Sequence, residues 1–508
     1  MTETAPIVSV VIPVYNSMPY LTGTVESLLA QQLAAFEIIA IDDGSTDGSG
    51  AELDRFAALD DRVTVVHQEN SGWPGMPRNR GLERARGTYV LFMDADDTMA
   101  PEALRLMVDQ ADEHDADVVI PRFEGTGGRQ VQALFERHPE GPIELARAME
   151  TLSPQKLFRR AMLERIGLRF PEGRVRLEDG IFVTRAYIEA RRIMFCGAGP
   201  LYFIALRDDG GNISGQRIDP ENYVASCRRI AETLLEGAPD REAGVSLVRQ
   251  FFGRKGLRFY APKRWLRMDE AQRAQWVALH RDFLRDLLPA EADARIAHPT
   301  DRRKVELIRA GDVAGLDTLI RAAELLEHTG TVSGTRAVPG GIELTVAVHA
   351  AHPDAPARKA GAGLRVRLAD RVYRALRPLI TRRAVRGASR VAADLLLRDR
   401  PRATLLLSGR KRGRAAAVPG RLAPPAPATG VAPRDDAAPR YRFVLPHDLL
   451  RRYRGERVDA WTVLYADRST SGDRARLTAQ PGLDRRVDGV RVYATNRGNF
   501  SLQVRSTR

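Results

Sequence analysis

The sequence predicts an α/β domain, followed by a helical region and a β-rich C-terminal region. Apolar runs of strand length alternate with helical segments up to about residue 125. Apolar residues then recur at three- and four-residue spacing from about 218 to 328, and short alternating segments with glycine turns follow. A chain of 508 residues is long enough for several domains. We therefore predict domains over residues 1–215, 216–330 and 331–508.

The first domain is predicted to contain a parallel sheet of the Rossmann-like kind. Near-continuous apolar strands such as IVSVVIPV are typical of a sheet covered by helices on both faces, with right-handed crossovers. The predicted strands are 7–14, 36–41, 62–67, 88–93, 117–122 and a short strand near 200–205. The predicted helices are 19–32, 48–58, 77–86, 101–113, 154–166 and 180–189, with the glycine- and proline-rich run 72–81 as a loop.

The C-terminal region is predicted to be an immunoglobulin-like β-sandwich. Residues 331–350 have the glycine turn and apolar alternation of a hairpin. Further short strands are predicted at 372–383, 402–410, 441–446, 460–468, 474–479, 491–498 and 500–506. The Ala-, Pro- and Gly-rich stretch near 412–440 is predicted to be a long flexible loop.

Charge is unevenly distributed along the chain. Residues 331–508 carry 36 Lys and Arg against 14 Asp and Glu, a net charge of +22, whereas residues 1–330 carry a net charge of −9. A genome rich in G and C would favour arginine over lysine, but it would not segregate the charge. Clustered cations bind polyanions. Since no RNA- or DNA-binding motif accompanies them, we expect no nucleic-acid partner.

The sequence contains no signal for a membrane span or for secretion. There is no apolar run of 18 residues, and the N-terminus lacks a basic segment followed by an apolar one. We therefore expect a cytoplasmic protein. The two cysteines, Cys196 and Cys227, have no metal-ligand spacing, and we expect buried or half-buried thiols.

Carboxylates cluster where predicted strands end. The apolar run Tyr89 to Met93 stops at Asp94, Asp96 and Asp97. In an open α/β sheet this edge is where ligands bind, and paired carboxylates suit Mg²⁺ or Mn²⁺ holding a diphosphate. The alternative is that Asp96 and Asp97 only cap the next helix.

Two more strand ends are predicted to lie on the same edge. Tyr15 follows the first strand and could stack on a base, while Asp42 or Asp43 follows the second strand and could accept hydrogen bonds from a nucleoside. Several acids on one edge would repel one another unless a cation or a hydrogen-bonding ligand were present.

Basic residues and a second acid pair complete the predicted site. Arg78 and Arg80 follow the GWPG turn and could bind diphosphate oxygens. The adjacent Glu178 and Asp179 open a predicted helix. They could serve only as an N-terminal cap, or Asp179 could act as a general base that deprotonates an attacking hydroxyl.

Taken in order, the motifs resemble an inverting family 2 glycosyltransferase of GT-A fold. The resemblance covers roughly residues 6–215, and its motifs are IPVYN, IDDGSTDGS, ENSG with PRNRGLERARGTYVLFMDADD, and LEDG. It implies direct displacement at the anomeric carbon of a nucleotide sugar, with Mn²⁺ or Mg²⁺ as cofactor. No QxxRW motif follows, which argues against a processive synthase.

The resemblance also implies roles for individual residues. Asp179 would be the catalytic base with Glu178 beside it, and Asp94 and Asp96 would bind the metal. The nucleotide-sugar donor would be contacted by Pro13, Val14, Tyr15, Asp42 or Asp43, Asn70, Arg78, Asp94 and Arg207.

The GWPG turn and the three-part layout are similar to the bacterial poly(ribitol-phosphate) glycosyltransferases that decorate wall teichoic acid. That similarity implies transfer of an N-acetylhexosamine or hexose from a UDP-sugar to a hydroxyl of an anionic cell-surface glycopolymer. The missing targeting signals and the need for nucleotide sugars place the expected site of action in the cytoplasm, at the inner membrane face. The similarity also allows a homo-oligomer formed through the C-terminal region. The alternatives are a capsular or exopolysaccharide unit on a lipid carrier as the acceptor, or an inactive protein that binds anionic polymers.

Overall fold

The structure is a computed structural model of the chain, and it falls into two compact units. The described residues are 5–132, 134–135, 138–197, 199–207, 218–351, 402–410, 415–423, 438–465, 471–495 and 498–504. One unit comprises residues 1–256 and 278–292, and the other comprises 257–277 and 293–508. The strand predicted at 372–383 lies outside the described residues, and the three predicted domain boundaries stay predictions.

The first unit is built on a mixed sheet. Its strands are β1 Val8–Val14, β2 Phe36–Asp42, β3 Val63–His67, β4 Tyr89–Phe92, β5 Thr98–Met99, β6 Val118–Pro121, β7 Phe123–Gly125, β8 Gly141–Pro142, β9 Leu157–Arg159, β10 Ile193–Cys196 and β11 Tyr202–Ile204. Among the described residues, eight of them form a sheet in the order β3-β2-β1-β4-β9-β6-β10-β8, and β5-β11-β7 form a smaller one.

Helices occur in both units. In chain order they are α1 Tyr20–Leu29, α2 Ser49–Leu59, α3 Gly75–Arg84, α4 Ala103–Glu113, α5 Leu145–Ala148, α6 Arg160–Arg165, α7 Glu178–Glu189, α8 Pro220–Gly237, α9 Arg241–Lys255, α10 Pro262–Trp265, α11 Glu270–Leu287, α12 Pro299–Ala310, α13 Val313–Glu324 and α14 His447–Arg451. Short 3₁₀ helices lie at Leu257–Tyr260 and Ala290–Arg295. The predicted helical region between 218 and 328 is therefore confirmed.

The carboxyl ends of β1, β2 and β4 meet at one edge of the sheet. These three strands are parallel, with Val14 opposite Asp42 and Val11 opposite Phe92. All seven residues of β2 are buried, as expected for a strand covered on both faces. The predicted βαβ order is thus confirmed for these strands, and it gathers the residues after each strand at one place.

Two predictions in this unit were wrong in detail. Residues 154–166 were predicted to be one helix, but Leu157–Arg159 forms β9, antiparallel to β4 and β6, before the short α6 begins. A three-residue buried strand is too short for periodicity to distinguish from a helix. The predicted loop 72–81 is also shorter, because α3 begins at Gly75.

The predicted β-rich C-terminal region is confirmed. Its strands are β12 His328–Val338, β13 Gly341–Ala350, β14 Arg402–Gly409, β15 Ala415–Pro419, β16 Arg421–Leu422, β17 Arg440–Pro446, β18 Arg457–Tyr465, β19 Ala475–Ala479, β20 Asp484–Val487, β21 Val490–Ala494 and β22 Phe500–Val504. Across the described residues, hydrogen bonds join all eleven into one sheet around a common core. β15 and β16 fall inside the stretch predicted to be a flexible loop, and residues 424–437 of that stretch lie outside the described residues.

Two smaller predictions concern cysteines and membrane spans. Cys196 and Cys227 are buried and unbridged, as predicted. In the part of the chain that the structure describes, none of the helices has the length and apolar character needed to span a membrane.

Helix α3 packs so closely on β1 that a side chain at Gly81 would not fit. A Cβ atom there would lie 2.2 Å from Val11 Cγ1, whereas a Cβ at Gly23 in α1 would meet nothing within 4 Å. Since α3 carries Arg78 one turn earlier, this close approach also fixes the depth of that side chain.

We expect Gly81→Ala to lower the Tm, because overpacking costs about 1–3 kcal/mol. The matched control, Gly23→Ala, should raise the Tm slightly, since alanine is better than glycine in a helix by about 0.5–1 kcal/mol. Thermal unfolding followed by circular dichroism measures both changes. An equal rise in Tm for the two variants would contradict the close packing of α3 on β1.

Candidate functional site

The first part of the candidate site lies at the end of β1. Val14 is buried at the last position of β1, Pro13 is half-buried, and Tyr15 exposes 51% of its surface. An aromatic ring left this exposed beside a sheet edge is available for a planar ligand. The structure therefore places the three predicted residues together at the carboxyl edge, with Tyr15 reaching outward.

Asp42 is the last residue of β2, Asp43 follows it, and the two carboxylates have different hydrogen-bond partners. Asp42 accepts hydrogen bonds from the Ser45 backbone N–H (3.0 Å), and its other oxygen lies 2.9 Å from His67 Nδ1. Asp43 accepts hydrogen bonds from Gln68 Nε2 (2.5 Å) and from the Ser71 N–H (3.0 Å) and hydroxyl (2.8 Å). Asp43 thus anchors the loop after β3, and both carboxylates stay candidates for the nucleoside contact.

Asn70 lies in the loop that Asp43 anchors. Its amide oxygen accepts a 2.7 Å hydrogen bond from the Gly72 N–H, and its backbone crosses Gly44 so closely that a Cβ there would be 2.8 Å away. Asn70 is exposed and therefore remains accessible beside the ends of β1 and β2.

Arg78 joins the two acidic groups of the site. It projects from α3, is 5% exposed, and donates hydrogen bonds to Asp94 Oδ1 (3.0 Å) and Glu178 Oε1 (3.1 Å). Burial alone would lower its pKa, but the nearby charges of Asp94, Glu178 and Asp179 outweigh burial and raise the pKa. Removing one partner of such a buried set typically costs about 3–5 kcal/mol.

The three acids after β4 differ in environment. Asp94 is bound by Arg78, whereas Asp97 accepts hydrogen bonds from the Tyr202 hydroxyl (2.9 Å) and the Ala205 N–H (2.9 Å). The alternative that Asp96 and Asp97 cap the next helix is not supported, because α4 begins at Ala103 and Asp97 is held by β11 and the residue after it. Asp97 is therefore a structural acid.

Asp96 has the environment expected of a metal ligand. Burial, followed by the charge of Asp94, raises the pKa of Asp96 to about 6, and a hydrogen bond from its own backbone N–H only partly opposes that rise. No group of three or more His, Cys, Asp or Glu in the described ranges is arranged as a complete metal cage. Mg²⁺ needs only one or two carboxylates when substrate phosphates supply other ligands, so Asp94 and Asp96 fit such an ion.

Glu178 and Asp179 occupy the first turn of α7. The residue before them, Leu177, has a left-handed backbone (φ 57°), which is unusual for a branched side chain and is often found at functional sites. Asp179 accepts a 2.6 Å hydrogen bond from the Gly180 N–H. The acids therefore share the helix N-terminus, but Glu178 is also committed to Arg78, which a simple cap would not require.

Both acids of this pair have raised pKa values. Burial, and next the negative charge of Asp179, raise the pKa of Glu178 to about 7. Burial also raises the pKa of Asp179, although the positive charges of Lys255 and Arg78 oppose the shift. A carboxylate with a raised pKa is a stronger proton acceptor, which suits a general base near neutral pH.

Arg207 and Arg80 differ in their relation to the site. The Arg207 guanidinium donates a 3.0 Å hydrogen bond to the Asn16 carbonyl, beside Tyr15, and lies over the Tyr20 ring. The charge of Arg207 partly opposes the rise in the pKa of Asp96, so Arg207 stays a candidate for the site. Arg80, in contrast, is exposed on α3 and makes no side-chain contact with the acids among the described residues.

Sequence reasoning missed three residues around the acids. Gln155 donates to Asp94, Tyr202 contacts both Asp97 and the Asp94 N–H, and Lys255 acts on the charge of Asp179. Gln155 was missed because residues 154–166 were predicted to be one helix, which obscured the turn of the chain before β9. Tyr202 and Lys255 lie more than 70 residues from the acids they affect, so no local pattern reveals them. The roles assigned to the site residues stay predictions.

Two family models match the chain. One is described as Glycosyl transferase family 2 and matches residues 9–170, and the other is described as Glycosyl transferase TarS linker domain and matches residues 220–320. The first range includes the ends of β1, β2 and β4, and stops before Glu178.

The chain is also similar to curated proteins. It is 30% identical over 334 residues to a poly(ribitol-phosphate) beta-glucosyltransferase of Bacillus spizizenii (64% of this chain, 52% of that protein). It is 31% identical over 316 residues to the poly(ribitol-phosphate) beta-N-acetylglucosaminyltransferase TarS of Staphylococcus aureus (61% and 54%). The chain thus spans about half the length of these two relatives. It is 33% identical over 252 residues to the glycosyltransferase GlyG of Streptococcus pneumoniae, of which it covers 80%, and the match takes in 46% of this chain.

A solved structure supports the same similarity. The crystal structure of S. aureus TarS 1–349 in complex with UDP-GlcNAc matches with a TM-score of 0.57 and 27% identity, covering 66% of this chain and 96% of that one.

We expect the stability of the metal-free protein to depend on Glu178 in a pH-dependent way. An unfolded glutamate titrates near pH 4.3, whereas the folded pKa is about 7. Stability should therefore fall as pH rises between these values, and Glu178→Gln should remove that fall. The free energy of unfolding of Glu178→Gln relative to wild type should increase by roughly 2–3 kcal/mol from pH 5 to pH 8.

Chemical denaturation in EDTA at several pH values measures this difference. Glu113→Gln, at the exposed end of α4, serves as the control substitution. A wild-type-minus-variant difference that stays constant from pH 5 to pH 8 for Glu178→Gln would show that the pKa of Glu178 is not raised.

Proposed function

The chain belongs to glycosyl transferase family 2, and we propose that it transfers a sugar from a UDP-sugar to a hydroxyl of a bacterial cell-surface polymer, with inversion at the anomeric carbon. The observation that carries the proposal is the buried Arg78, which bridges the acid at the donor edge, Asp94, to the acid pair at the start of α7. This arrangement gathers a diphosphate-binding cation, candidate metal ligands and a candidate base at one sheet edge.

The donor nucleotide is proposed to bind across the ends of β1 and β2. Tyr15 stacks on the base, and Asp42 or Asp43, with Asn70 beside them, accepts hydrogen bonds from the nucleoside. Asp42 and Asp43 already satisfy backbone and side-chain donors of the neighbouring loops, so both carboxylates are held in fixed orientations. Fixed acceptors of this kind reduce the entropy cost of ligand binding.

The diphosphate is proposed to lie between Arg78, Arg207 and the acids after β4. Asp94 and Asp96 would hold Mn²⁺ or Mg²⁺, which as a Lewis acid would neutralise charge on the departing UDP. Arg78 contributes a cation that is already desolvated, so its interaction with a phosphoryl oxygen is not weakened by bulk water.

Asp179 is proposed to take the proton from the acceptor hydroxyl. Its half-buried carboxylate has one backbone hydrogen bond, from the Gly180 N–H, which leaves acceptor capacity for a hydroxyl. The acceptor oxygen then forms a bond to the anomeric carbon while the bond to UDP breaks on the opposite face. Glu178 stays paired with Arg78 and keeps the two ends of the site at a fixed separation.

A ribitol-phosphate polymer is the proposed acceptor. Similarity to two poly(ribitol-phosphate) transferases supports it, and the structure of TarS with UDP-GlcNAc supports an N-acetylhexosamine or hexose as the donor sugar. The net charge of +22 in residues 331–508 would favour a polymer of phosphodiesters. UDP-sugars and polymer precursors are supplied at the cytoplasmic face of the membrane, where we expect the protein to act.

The test measures UDP release from a panel of UDP-sugars in Mn²⁺, with and without ribitol-phosphate polymer. Wild type should release UDP faster when polymer is present. Asp179→Asn should lower kcat by about 10²–10⁴-fold, because the general base is lost, and should leave the KM for the donor nearly unchanged. Asp109→Asn, on the exposed face of α4, is the matched control and should behave as wild type.

Each contrary outcome would reject a different part of the proposed function. Release that the polymer does not stimulate would keep the transferase and reject this acceptor. Full activity in Asp179→Asn would reject the proposed base. No turnover of any UDP-sugar, together with salt-sensitive binding of the polymer, would identify a binding protein instead of an enzyme.

A further inference from the structure

The segment from Met149 to Lys156, here called the 149–156 segment, lies beside Asp94 and is held in place by several hydrogen bonds. The Arg254 guanidinium of α9 donates to the Met149 and Glu150 carbonyls, and the Tyr187 hydroxyl of α7 donates a 3.0 Å hydrogen bond to the Thr151 carbonyl. The segment is thus tied to α7, which begins with Glu178 and Asp179, and to α9. An irregular stretch held at so many points has little freedom to move.

Gln155 is the residue of this segment that touches the site. It is 4% exposed, and its Nε2 donates a 2.5 Å hydrogen bond to Asp94 Oδ2, while Arg78 donates to Oδ1 of the same carboxylate. Both oxygens of Asp94 are therefore bound, one by a cation and one by a neutral amide. We propose that Gln155 is a positioning residue that fixes the orientation of Asp94 for the donor diphosphate and its cation.

The amide oxygen of Gln155 argues against the view that this residue only stabilises the fold. Its Oε1 is buried and has no hydrogen-bond partner among the described residues. A buried acceptor without a partner is unfavourable for folding, and an apolar side chain of similar size would avoid that cost. The amide is therefore better explained by what its Nε2 does to Asp94.

Lys156 anchors the segment from the interior. Its side chain is fully buried. The ammonium nitrogen Nζ donates hydrogen bonds to Thr151 Oγ1 (3.4 Å) and to the Ser153 carbonyl. It also lies 5.8 Å from the centre of the Phe123 ring and 6.0 Å from the centre of the Tyr187 ring. Gln155 and Lys156 are adjacent in the chain, and they contact different groups. The buried lysine therefore holds the backbone from which Gln155 reaches Asp94.

A glutamine also suits the charge of the site. An arginine at this position would add a second cation to Asp94 and compete with Arg78, and a glutamate would repel Asp94 at hydrogen-bond distance. A neutral donor fixes the carboxylate while leaving its negative charge available to a cation. The identity of the ligand in this inference rests on the proposed function. The hydrogen bond between Gln155 and Asp94 does not depend on that function.

The experiment compares Gln155→Leu with the control Gln110→Leu in the full chain. Gln110, on α4, also has a buried amide oxygen without a partner, so the two substitutions remove similar groups at different places. Gln155→Leu should weaken UDP binding in Mn²⁺ and raise the KM for the donor, each by about 10-fold, because a hydrogen bond to a charged group is lost. Its kcat at saturating donor should change by less than about threefold, and Gln110→Leu should match wild type.

A ligand-free measurement keeps the contact testable whatever the protein binds. The Tm values of Gln155→Leu, Asp94→Asn and the double variant are compared in EDTA. Coupled residues should give a double variant whose loss of Tm is smaller than the sum of the single losses by about 2 °C or more. Additive losses would overturn the contact between the two side chains.

The ligand-binding measurements and the Tm measurements together distinguish failure of the positioning role from failure of the proposed function. Coupled Tm values with unchanged UDP affinity and donor KM in Gln155→Leu would overturn the positioning role. An equal loss of UDP affinity in Gln110→Leu would show a general structural effect and overturn it as well. Failure of wild type to bind or turn over any UDP-sugar would count against the proposed function.

Discussion

The site depends on one interaction, the burial of Arg78 between Asp94 and Glu178. Arg78 of α3 meets Asp94, which follows the next strand β4, and Glu178 of α7, which lies 100 residues later in the chain. An unpaired charge in such a place would be very unfavourable, so the buried Arg78 needs its carboxylate partners. The close packing of Gly81 on Val11 brings α3 near enough for the contact. The geometry of the donor edge and of the candidate base is therefore set by a single buried cation.

The site nevertheless holds more acid than Arg78 can balance. Burial raises the pKa of Asp96, and the pKa values of Glu178 and Asp179 are raised as well. Groups of this kind persist where function needs them, since burial of like charges costs stability. A divalent cation would supply the missing positive charge at Asp94 and Asp96, and it could in turn bind the oxygens of a nucleotide diphosphate. The buried acids therefore lower the stability of the ligand-free protein, and a bound cation would relieve their mutual repulsion.

The sequence predicted the parts of this arrangement that depend on strand ends. Buried parallel strands have a strong apolar pattern, so the positions of Tyr15, Asp42 and Asp94 on one edge followed directly. Arg78 was also predicted, although its burial against Glu178, 100 residues later, was not visible. Gln155 was missed because residues 154–166 were predicted to be one helix, whereas Gln155 precedes the three-residue strand β9, which is too short to have a distinctive periodicity. Contacts of this last kind arise from tertiary packing, which a local pattern does not encode.

The measurement that most directly tests the charge balance is calorimetric titration of UDP into wild type and Asp96→Asn, in Mn²⁺ and in EDTA. If the acids after β4 complete a site for cation and diphosphate together, each ligand must raise the affinity of the other. We expect wild type to bind UDP at least about 10-fold more tightly in Mn²⁺ than in EDTA, and Asp96→Asn to lose most of that difference. Equal UDP affinity in Mn²⁺ and EDTA for wild type would contradict a site built around a buried cation and an unbalanced set of acids.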